Sequence, residues 1–472
     1  MCGIVGYVGG RSALEVVLGG LRRLEYRGYD SAGVAVVHDG SVVSVKKAGK
    51  LGNLDKQLVE HPLPDSQTGI GHTRWATHGP PNDRNAHPHL SGDQRLAVVH
   101  NGIIENFAEL RAELEADGYD LVSDTDTETV AHLLDKELRR GGELPDAVRR
   151  VCRRLEGAFT LVITDGREPG VVVGARRNSP LVAGRGDGEN FLASDVSAFI
   201  DYTREAVELG QDQVVTITPD EIVVTDFDGN ASEVTEYHVD WDASAAEKGG
   251  YDWFMLKEID EQPQAVADTL LGRYDAEGAL QLDEMRLSDD ELRDIDKIIV
   301  IACGTASYAG LVAKYAIEHW TRIPCEVELA SEFRYRDPVV AASTLVVAIS
   351  QSGETMDTLM AIRHARRQRA RVLAICNTNG STIPRESDAV IYTHAGPEIA
   401  VASTKGFLSQ IVACYLLGLY LAQVRGLKYG DEITSIMAQL EAVPAGVQRL
   451  LDESEPVRAL ARELSTERSV LF

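Results

Sequence analysis

The start of the chain constrains its fold and chemistry more than any other stretch, and it reads MCGIVGYVGG. The small second residue favours removal of the initiator Met, which would leave Cys2 with a free α-amine. An α-amine titrates near pH ~8 and a thiol near ~8.5, so the amine is able to take the proton of the thiol. The pattern predicts an N-terminal nucleophile, held by a buried strand over residues 4–8. The alternative is a small apolar residue that opens a strand.

Length and charge limit the classes of protein to consider. A chain of 472 residues is too long for one ordinary core, so two or three domains are expected. The formal net charge is -26, from 73 acidic and 47 basic side chains, which argues against a nucleic acid or an anionic membrane as a partner. Because Arg outnumbers Lys and the acid excess runs along the whole chain, the composition also indicates a halophilic source. An ordinary acidic protein is the alternative.

Cysteine usage and hydropathy indicate a cytoplasmic protein. The 6 cysteines show no CxxC motif and no regular spacing, which is typical of a reduced compartment. No basic region followed by an apolar stretch and a cleavage site is found, so no secretory signal is predicted. Residues 406–424 carry no formal charge and are nearly long enough to span a bilayer. Since this stretch contains Ser409, Gln410 and Gln423 and follows an α/β pattern, it favours a buried helix or a subunit contact.

The pattern of short apolar runs changes along the chain. Up to about residue 238, β-rich runs alternate with helical stretches, which two sheets sandwiched between helix layers would accommodate. One helix is marked by a capping-box pattern at Thr125 and Glu128. The next stretch, 239–280, has aromatic residues but no sustained period and is predicted to connect two domains. From Lys297 onward strand and helix alternate, which predicts a doubly wound parallel sheet.

Two motifs in the first half combine polar residues with glycine, namely HTRWATHGP at 72–80 and HNGIIEN at 100–106. The histidines here could suggest zinc, but no pair has the i, i+4 spacing of a metalloprotease and no thiol is near in sequence. A metal site is therefore disfavoured. Asn101-Gly102 is either a hairpin turn or, beside a thiol nucleophile, a pair of donors for an oxyanion.

Two strand-to-helix turns in the second half are rich in hydroxyl groups. They read SQSGET at 350–355 and CGTAS at 303–307. Backbone N–H groups and hydroxyls that converge at a helix N-terminus form an anion cradle. No Gly-Lys-Thr or Gly-Lys-Ser follows, so a compact sugar phosphate fits this cradle better than a nucleoside triphosphate. The alternative is ordinary helix capping by Ser and Thr.

The motifs of the first half together resemble the class II glutamine amidotransferases, and within them the glutamine:fructose-6-phosphate aminotransferase (isomerizing) family. The matching stretches are 1–10, 24–33, 72–80, 100–106 and 123–128. The resemblance implies an αββα sandwich of the N-terminal-nucleophile (Ntn) hydrolase type over 1–238, in which Cys2 attacks the glutamine amide to form a thioester. It also implies that Asn101 and Gly102 form an oxyanion hole and that Trp75 gates the passage of ammonia. The implied glutamine-binding residues are Arg74, Asp126, Arg27, Thr77 and His78.

The second half resembles the sugar isomerase (SIS) domain of the same family, an α/β flavodoxin-like fold expected over 281–460. The two turns carry the resemblance together with VASTK at 401–405. Cys303 is expected only to pack. The resemblance implies sugar-phosphate contacts by Thr305, Ser307, Ser350, Gln351, Ser352, Thr355, Val401 and Ser403.

The end of the chain departs from the family, whose isomerising Glu, His and Lys lie in a second SIS lobe and its tail. Residues 461–472 are predicted to begin that lobe, with a strand at 469–472, so a fragment of a longer product is favoured over a natural truncation. The family's reaction converts L-glutamine and D-fructose 6-phosphate to D-glucosamine 6-phosphate and L-glutamate, without a metal or organic cofactor, in a homodimer.

Other activities remain to be weighed against this one. Amidophosphoribosyltransferase and asparagine synthase share the Cys2 domain, but the loops that they need for phosphoribosyl diphosphate and ATP are not found in this sequence. A sugar-phosphate-sensing protein without isomerase activity is the rival from another class.

Overall fold

The computed structural model describes residues 2–25, 28–76, 78–239, 248–275, 278–282, 284–379, 381–467 and 469. The chain forms two compact units, 1–246 and 247–472. Arg27 and Thr77, two of the predicted site residues, lie outside the described residues. The same holds for 470–472, most of the strand predicted at the end of the chain.

The first unit contains strands in two sheets and helices on their outer faces. Its strands are β1 (Gly3–Val8), β2 (Ser31–His38), β3 (Ser41–Ala48), β4 (Thr68–Arg74), β5 (His89–Leu90), β6 (Leu96–Ile104), β7 (Gly157–Asp165), β8 (Val172–Arg177), β9 (Val182–Arg185), β10 (Asn190–Ala193), β11 (Glu205–Glu208), β12 (Gln213–Ile217), β13 (Ile222–Asp226) and β14 (Thr235–His238). Its helices are α1 (Ala13–Leu24), α2 (Leu51–Glu60), α3 (Phe107–Ala116), α4 (Asp126–Arg139) and α5 (Leu144–Cys152). The sheet orders are β14-β11-β9-β10-β1-β4-β2-β3 and β13-β12-β8-β7-β6-β5.

Side-chain alternation along β6 shows how the layers stack. Ala97 and Val99 belong to the core between the two sheets, with Ile4 of β1. Leu96 and Val98 point the other way, into the core under α4 and α5. On the outer face of the other sheet, α1 and α2 pack in a further core. The four layers are thus helix, sheet, sheet and helix, and the predicted αββα sandwich is confirmed.

The second unit has one sheet. Its strands are β15 (Glu284–Met285), β16 (Lys297–Ala302), β17 (Cys325–Leu329), β18 (Thr344–Ser350), β19 (Arg371–Cys376) and β20 (Ala389–Tyr392). Its helices are α6 (Phe254–Asp260), α7 (Gln262–Leu270), α8 (Asp289–Arg293), α9 (Thr305–Thr321), α10 (Ala330–Arg336), α11 (Met356–Arg367), α12 (Thr382–Arg385), α13 (Lys405–Val424), α14 (Gly430–Glu441), α15 (Val443–Asp452) and α16 (Glu455–Leu464).

Strand order in this sheet is β15-β20-β19-β18-β16-β17. Strands β16 to β20 pair in parallel, and β15 is an antiparallel edge. Helices α9 and α13 contribute to the core on one face, and α10, α11 and α12 to the core on the other. The order of the five parallel strands is the flavodoxin-like 2-1-3-4-5, so the predicted doubly wound fold is confirmed.

The apolar stretch at 406–424 forms most of α13, which is long and apolar enough to cross a membrane by length and composition alone. Its residues Val412 and Leu416 pack against Val266 and Leu270 of α7, and its other side contributes to the core under the sheet. This confirms the prediction of a buried helix.

The stretch predicted to connect two domains, 239–280, differs from the expectation. From residue 254 it carries α6 and α7, and α7 packs in the core of the second unit. Both helices are short, with 7 and 9 residues, so neither is long enough to show a clear helical period in the sequence.

The capping box predicted at Thr125 and Glu128 is wrong, although Thr125 is the N-cap residue of α4. The Thr125 hydroxyl makes no capping hydrogen bond and lies 3.0 Å from Nε2 of His89. The Glu128 carboxylate accepts from the N–H groups of Val122 and Ser123. It therefore fixes the turn before the helix instead of the N-cap itself.

Candidate active site

Cys2 lies immediately before β1, and its thiol contacts the end of β4. The Trp75 N–H donates to the Cys2 sulfur at 3.2 Å, and the sulfur lies 3.4 Å from the Trp75 carbonyl oxygen. Burial raises the pKa of the Cys2 thiol, whereas the Trp75 N–H and the Arg74 cation lower it. The site therefore combines a partly desolvated thiol with two groups that favour the thiolate.

Asn101 is held between Cys2 and His72. Its Nδ2 donates to the Cys2 carbonyl oxygen at 3.0 Å, and its Oδ1 lies 3.0 Å from Nε2 of His72. The same Nε2 lies 3.0 Å from the carbonyl oxygen of His100, so two acceptors face it and Nε2 must carry the proton. Burial lowers the pKa of His72 to about 3, which keeps the ring neutral. His72 thus fixes which way the Asn101 amide points.

Asn101 and Gly102 lie within β6, where they pair with Thr160 and Phe159 of β7. The dipeptide is therefore not a hairpin turn. Gly102 has φ +123, a backbone conformation that favours glycine, and a Cβ there would lie 2.0 Å from the Ala158 carbonyl oxygen. Only glycine fits at this place beside the thiol-bearing end of β1.

Arg74 ends β4, and its buried guanidinium holds the loop that follows. It donates to the carbonyl oxygens of His78, Gly79 and Pro80, the last at 3.4 Å. Burial lowers the pKa of Arg74, while the charges of Cys2, Asp126 and Asp30 oppose that shift. The guanidinium of Arg74 is therefore close enough to Cys2, Asp126 and Asp30 to interact with their charges.

Asp126 is the first residue of α4, where a carboxylate interacts favourably with the helix dipole. It accepts from the Ile104 N–H at 2.8 Å, which ties it to the end of β6. Nδ1 of His100 lies 3.8 Å from the same carboxylate oxygen. Asp126 is buried, so the strand that bears Asn101 and the helix that bears Asp126 are fixed together.

The remaining predicted residues of this unit border the same region. Trp75 is 39% exposed, and its ring packs edge-on against Tyr29 at 5.2 Å. The His78 ring packs edge-on against Phe107 at 4.5 Å. Cys2, Arg74, Trp75, Asn101 and Asp126 are thus joined by direct contacts or by their charges.

Buried histidines surround the site. His72 stacks on His87 at 4.3 Å, and His87 meets His89 at 5.0 Å. Burial lowers the pKa of all three, and the hydroxyls of Thr125 and Thr127 lie within hydrogen-bonding distance of His89 and His87. Among the described residues no group of three or more His, Cys, Asp or Glu side chains is arranged to hold a metal ion. These rings pack and hydrogen-bond as neutral groups.

Sequence analysis missed two positioning contacts in this region. The Asp30 carboxylate accepts from the Ala76 N–H at 2.9 Å, next to Trp75. Lys46 donates to the carbonyl oxygens of Arg84, Ala86 and Pro88, and burial lowers its pKa to about 8. Both contacts order loops that follow β4, and no clear signal for either is present in the sequence.

The resemblance implies that this site hydrolyses glutamine. Replacing His72 with Phe is expected to lower kcat for that reaction by about tenfold, because Oδ1 of Asn101 loses the donor that orients its amide. The KM for glutamine should change little. A His72→Gln variant, whose amide nitrogen is able to replace Nε2, should recover much of kcat. Steady-state kinetics of glutamine hydrolysis measure kcat and KM separately. An unchanged kcat in His72→Phe, or a rise in KM as large as the fall in kcat, would contradict this role of His72.

In the second unit, the two hydroxyl-rich turns follow neighbouring strands. β16 pairs in parallel with β18, with Ala302 opposite Ile349, so residues 303–307 and 350–355 leave the same edge of the sheet. These are the strands at which the chain reverses its winding direction, and ligands of open α/β sheets bind at this switch point. The fold therefore brings the two predicted turns together.

The turn after β18 gathers three hydroxyls. Ser350 Oγ lies 2.9 Å from Thr355 Oγ1 and accepts from the Gly353 N–H at 3.0 Å. Ser352 Oγ accepts from the Glu354 N–H at 3.2 Å. The carbonyl oxygen of Gln351 accepts from the Asn377 N–H at the end of β19. The turn is thus braced from within and from the next strand.

The turn after β16 is shorter. Thr305 begins α9, and the Ser307 hydroxyl donates to the Gly304 carbonyl oxygen at 2.6 Å. Cys303 packs against the core on one face of the sheet, and its sulfur lies 3.9 Å from the Thr358 hydroxyl. Cys303 therefore packs, as predicted.

The 399–403 loop carries the last two predicted contacts. The Ser403 hydroxyl donates to Glu398 at 2.8 Å, and Val401 is 73% exposed. Glu398 also accepts from the N–H groups of Thr404 and Gly406, at the start of α13. Sequence analysis did not identify Glu398 as the residue that organises this loop.

Two parts of the chain match models of known protein families. Residues 72–201 match the family model described as glutamine amidotransferase domain, and residues 291–420 match the model described as SIS domain. These are the ranges that hold Arg74, Asn101 and Asp126 in one unit and the two hydroxyl-rich turns in the other. The chain is an amidotransferase joined to a sugar isomerase domain.

Curated relatives narrow the class. A glutamine–fructose-6-phosphate aminotransferase (isomerizing) of Streptomyces coelicolor is 69% identical over 472 residues, which cover 100% of this chain and 77% of the relative. The corresponding protein of Corynebacterium efficiens is 62% identical over 480 residues, with the same coverage of 100% and 77%. Among solved structures, the C-terminal domain of glucosamine-fructose-6-phosphate aminotransferase from Francisella tularensis is 40% identical, with a TM-score of 0.44 over 47% of this chain and 61% of that chain. The chain belongs to the glutamine–fructose-6-phosphate aminotransferase (isomerizing) family.

Proposed function

We propose that this protein transfers the amide nitrogen of L-glutamine to D-fructose 6-phosphate, giving D-glucosamine 6-phosphate and L-glutamate. This chain supplies the glutaminase site and a sugar isomerase domain. The observation that carries the proposal is the contact of the Cys2 sulfur with the Trp75 N–H beside Asn101, in a chain 69% identical to a relative of that name. The reaction would take place in the cytoplasm and supply the precursor of UDP-N-acetylglucosamine.

Glutamine hydrolysis begins with Cys2. Its sulfur, deprotonated by the α-amine of the processed chain, attacks the amide carbon of glutamine and forms a tetrahedral oxyanion. Collapse of this intermediate breaks the C–N bond, and ammonia leaves with the proton held by the amine. Water then hydrolyses the thioester to L-glutamate. The Trp75 N–H stabilises the thiolate at the start and end of this cycle.

The oxyanion is stabilised by Nδ2 of Asn101 and the N–H of Gly102, since an amide donor is most effective when it is oriented before the reaction. Asn101 meets this condition because Cys2 and His72 fix its amide. Arg74 binds the carboxylate of glutamine and Asp126 binds its amine, with Arg27, Thr77 and His78 completing the site. Trp75, on its exposed edge, gates the release of ammonia.

The sugar phosphate binds at the two turns beside β16 and β18. The N-termini of α9 and α11 favour a phosphate, and the converging hydroxyls supply donors. The contacts are Thr305, Ser307, Ser350, Gln351, Ser352 and Thr355, with Val401 and Ser403 from the 399–403 loop.

Two assays on the same samples test the proposal. Glutamate release from glutamine is measured with and without fructose 6-phosphate, and glucosamine 6-phosphate is assayed in the same samples. Release of glutamate together with formation of the amino sugar is expected. Binding of the sugar phosphate without formation of amino sugar would instead indicate a sensor.

The protein is also proposed to form a homodimer, supported by an exposed apolar stripe on α9. Tyr308, Leu311, Val312 and Tyr315 share one face of this helix and are between 42% and 77% exposed. Light scattering should give about twice the chain mass of 51.4 kDa.

Tyr315→Glu is expected to shift the protein toward the monomer, because a charge replaces the most exposed apolar side chain of the stripe proposed to form the dimer contact. Val59→Glu, a matched change at an exposed position on α2, should leave the mass unchanged. A monomeric wild type at micromolar concentration, or a dimeric Tyr315→Glu, would contradict this use of α9.

A further inference from the structure

The chain between β20 and α13 has no helix or strand over residues 393–404, yet its backbone is held at defined points. Oε1 of Glu258, on α6, accepts from the N–H of Ile399 at 2.5 Å and from that of Ala400 at 2.9 Å. Glu258 is only 2% exposed. A buried carboxylate that accepts two backbone hydrogen bonds fixes the path of a loop more strongly than a neutral acceptor would.

The end of the same loop is held from the same segment of the chain. Lys405, the first residue of α13, is buried and donates to Glu261 at 2.7 Å, just after α6. A cation at a helix N-terminus is unfavourable, and the pairing with Glu261 offsets this cost. Residues 258 and 261 thus hold both sides of the 399–403 loop.

We propose that Glu258 is a positioning residue for the sugar site, which sets the backbone of the 399–403 loop so that Val401 and Ser403 meet the sugar phosphate. The inference rests on the proposed function of that loop. Ile399 and Ala400 directly precede Val401, so a shift of their N–H groups moves it.

The charge of Glu258 allows a positioning role to be told apart from a purely electrostatic one, because the two predict opposite changes in sugar-phosphate binding. Fructose 6-phosphate is an anion, so removing a negative charge from its surroundings would strengthen binding if Glu258 acted only through its field. A positioning role predicts weaker binding. Burial raises the pKa of Glu258, and Glu398 acts in the same direction, whereas the N–H groups of Ala400 and Ile399 and the charge of Lys405 oppose the shift.

The experiment measures fructose 6-phosphate binding by calorimetry with Glu258→Gln, Glu258→Ala and the wild type. Glu332→Gln, a change at an exposed glutamate of the same unit, is the matched control. Glu258→Gln keeps one acceptor oxygen and should raise Kd severalfold, and Glu258→Ala should raise it about tenfold or more. Hydrogen exchange of residues 394–406 should speed up in both variants, and glutamine hydrolysis without sugar should stay at the wild-type rate.

The outcomes separate this inference from the proposed function. Unchanged or tighter sugar binding in Glu258→Gln, with wild-type binding intact, would overturn the positioning role. A wild type that shows no sugar binding would instead overturn the proposed function. If Glu258→Ala does not fold, Glu258→Gln with its exchange rates decides the question, since it retains the shape of the side chain.

Discussion

A Cys2→Ala variant is expected to lose at least about a thousandfold in the rate of glutamine hydrolysis, because the proposed mechanism forms the thioester on the Cys2 thiol. Two contacts hold Cys2 in the site: the Trp75 N–H donates to its sulfur at 3.2 Å, and its carbonyl oxygen accepts from the Asn101 amide. Ala retains that carbonyl and therefore keeps the rest of the site in place. Glutamate release, followed in the absence of sugar, measures the loss.

Two controls make the Cys2→Ala result specific. Cys414→Ala removes a buried thiol of the other unit, within α13, and should hydrolyse glutamine normally. Cys2→Ala itself should bind fructose 6-phosphate as the wild type does, since the hydroxyl-rich turns belong to the second unit. Glutamate release by Cys2→Ala within tenfold of the wild type would mean that another residue is the nucleophile.

The parallel sheet was predictable from the sequence because its strands are buried on both faces. Such strands read as unbroken apolar runs, as in β16 (Lys297–Ala302) and β20 (Ala389–Tyr392). Strand β4 lacks this signal. It reads TGIGHTR, and its glycines are required because α1 crosses closely: a Cβ at Gly71 would lie 2.4 Å from Cγ1 of Val17. Close packing thus removed the strand signal.

The sequence indicated candidate residues of the site but not the connections between them. Cys2 and Asn101 stood out in short motifs, and the resemblance to the family pointed to Arg74 and Asp126. The link between His72 and Asn101 was not accessible, since it joins β4 in one sheet to β6 in the other. His72 was considered only as a metal ligand. Its role follows from two acceptors facing one nitrogen, which a linear pattern does not show.

The same limit applies to the sugar loop. The resemblance pointed to Val401 and Ser403, while the carboxylates that hold this loop are Glu258, which is 141 residues before its partner Ile399, and Glu398, which accepts from the Ser403 hydroxyl. Glu258 lies on a helix of 7 residues that the sequence did not predict. Local patterns therefore indicate candidate contact residues, and the residues that position them become visible only in the fold.

Gly102→Ala is expected to lower kcat for glutamine hydrolysis by about a hundredfold or more and the free energy of unfolding by about 2 kcal/mol or more. At φ +123 an alanine is strained, and its Cβ would lie 2.0 Å from the Ala158 carbonyl oxygen and 2.9 Å from the Phe159 Cα. These atoms are backbone of β7, so no side-chain rotation relieves the overlap. Strand β6 must shift, and with it the Gly102 N–H and the Asn101 amide, the two donors proposed for the oxyanion.

Gly40→Ala provides a matched control, because Gly40 also has a positive φ, +77, but a Cβ there would have no atom within 4 Å. It should cost about 1 kcal/mol of stability through backbone strain alone and leave kcat unchanged. Thermal unfolding and steady-state glutaminase kinetics on both variants measure the two effects. The overlap with β7 forces the Gly102 N–H to move in the Gly102→Ala variant. A wild-type kcat in this variant would therefore show that other groups stabilise the oxyanion.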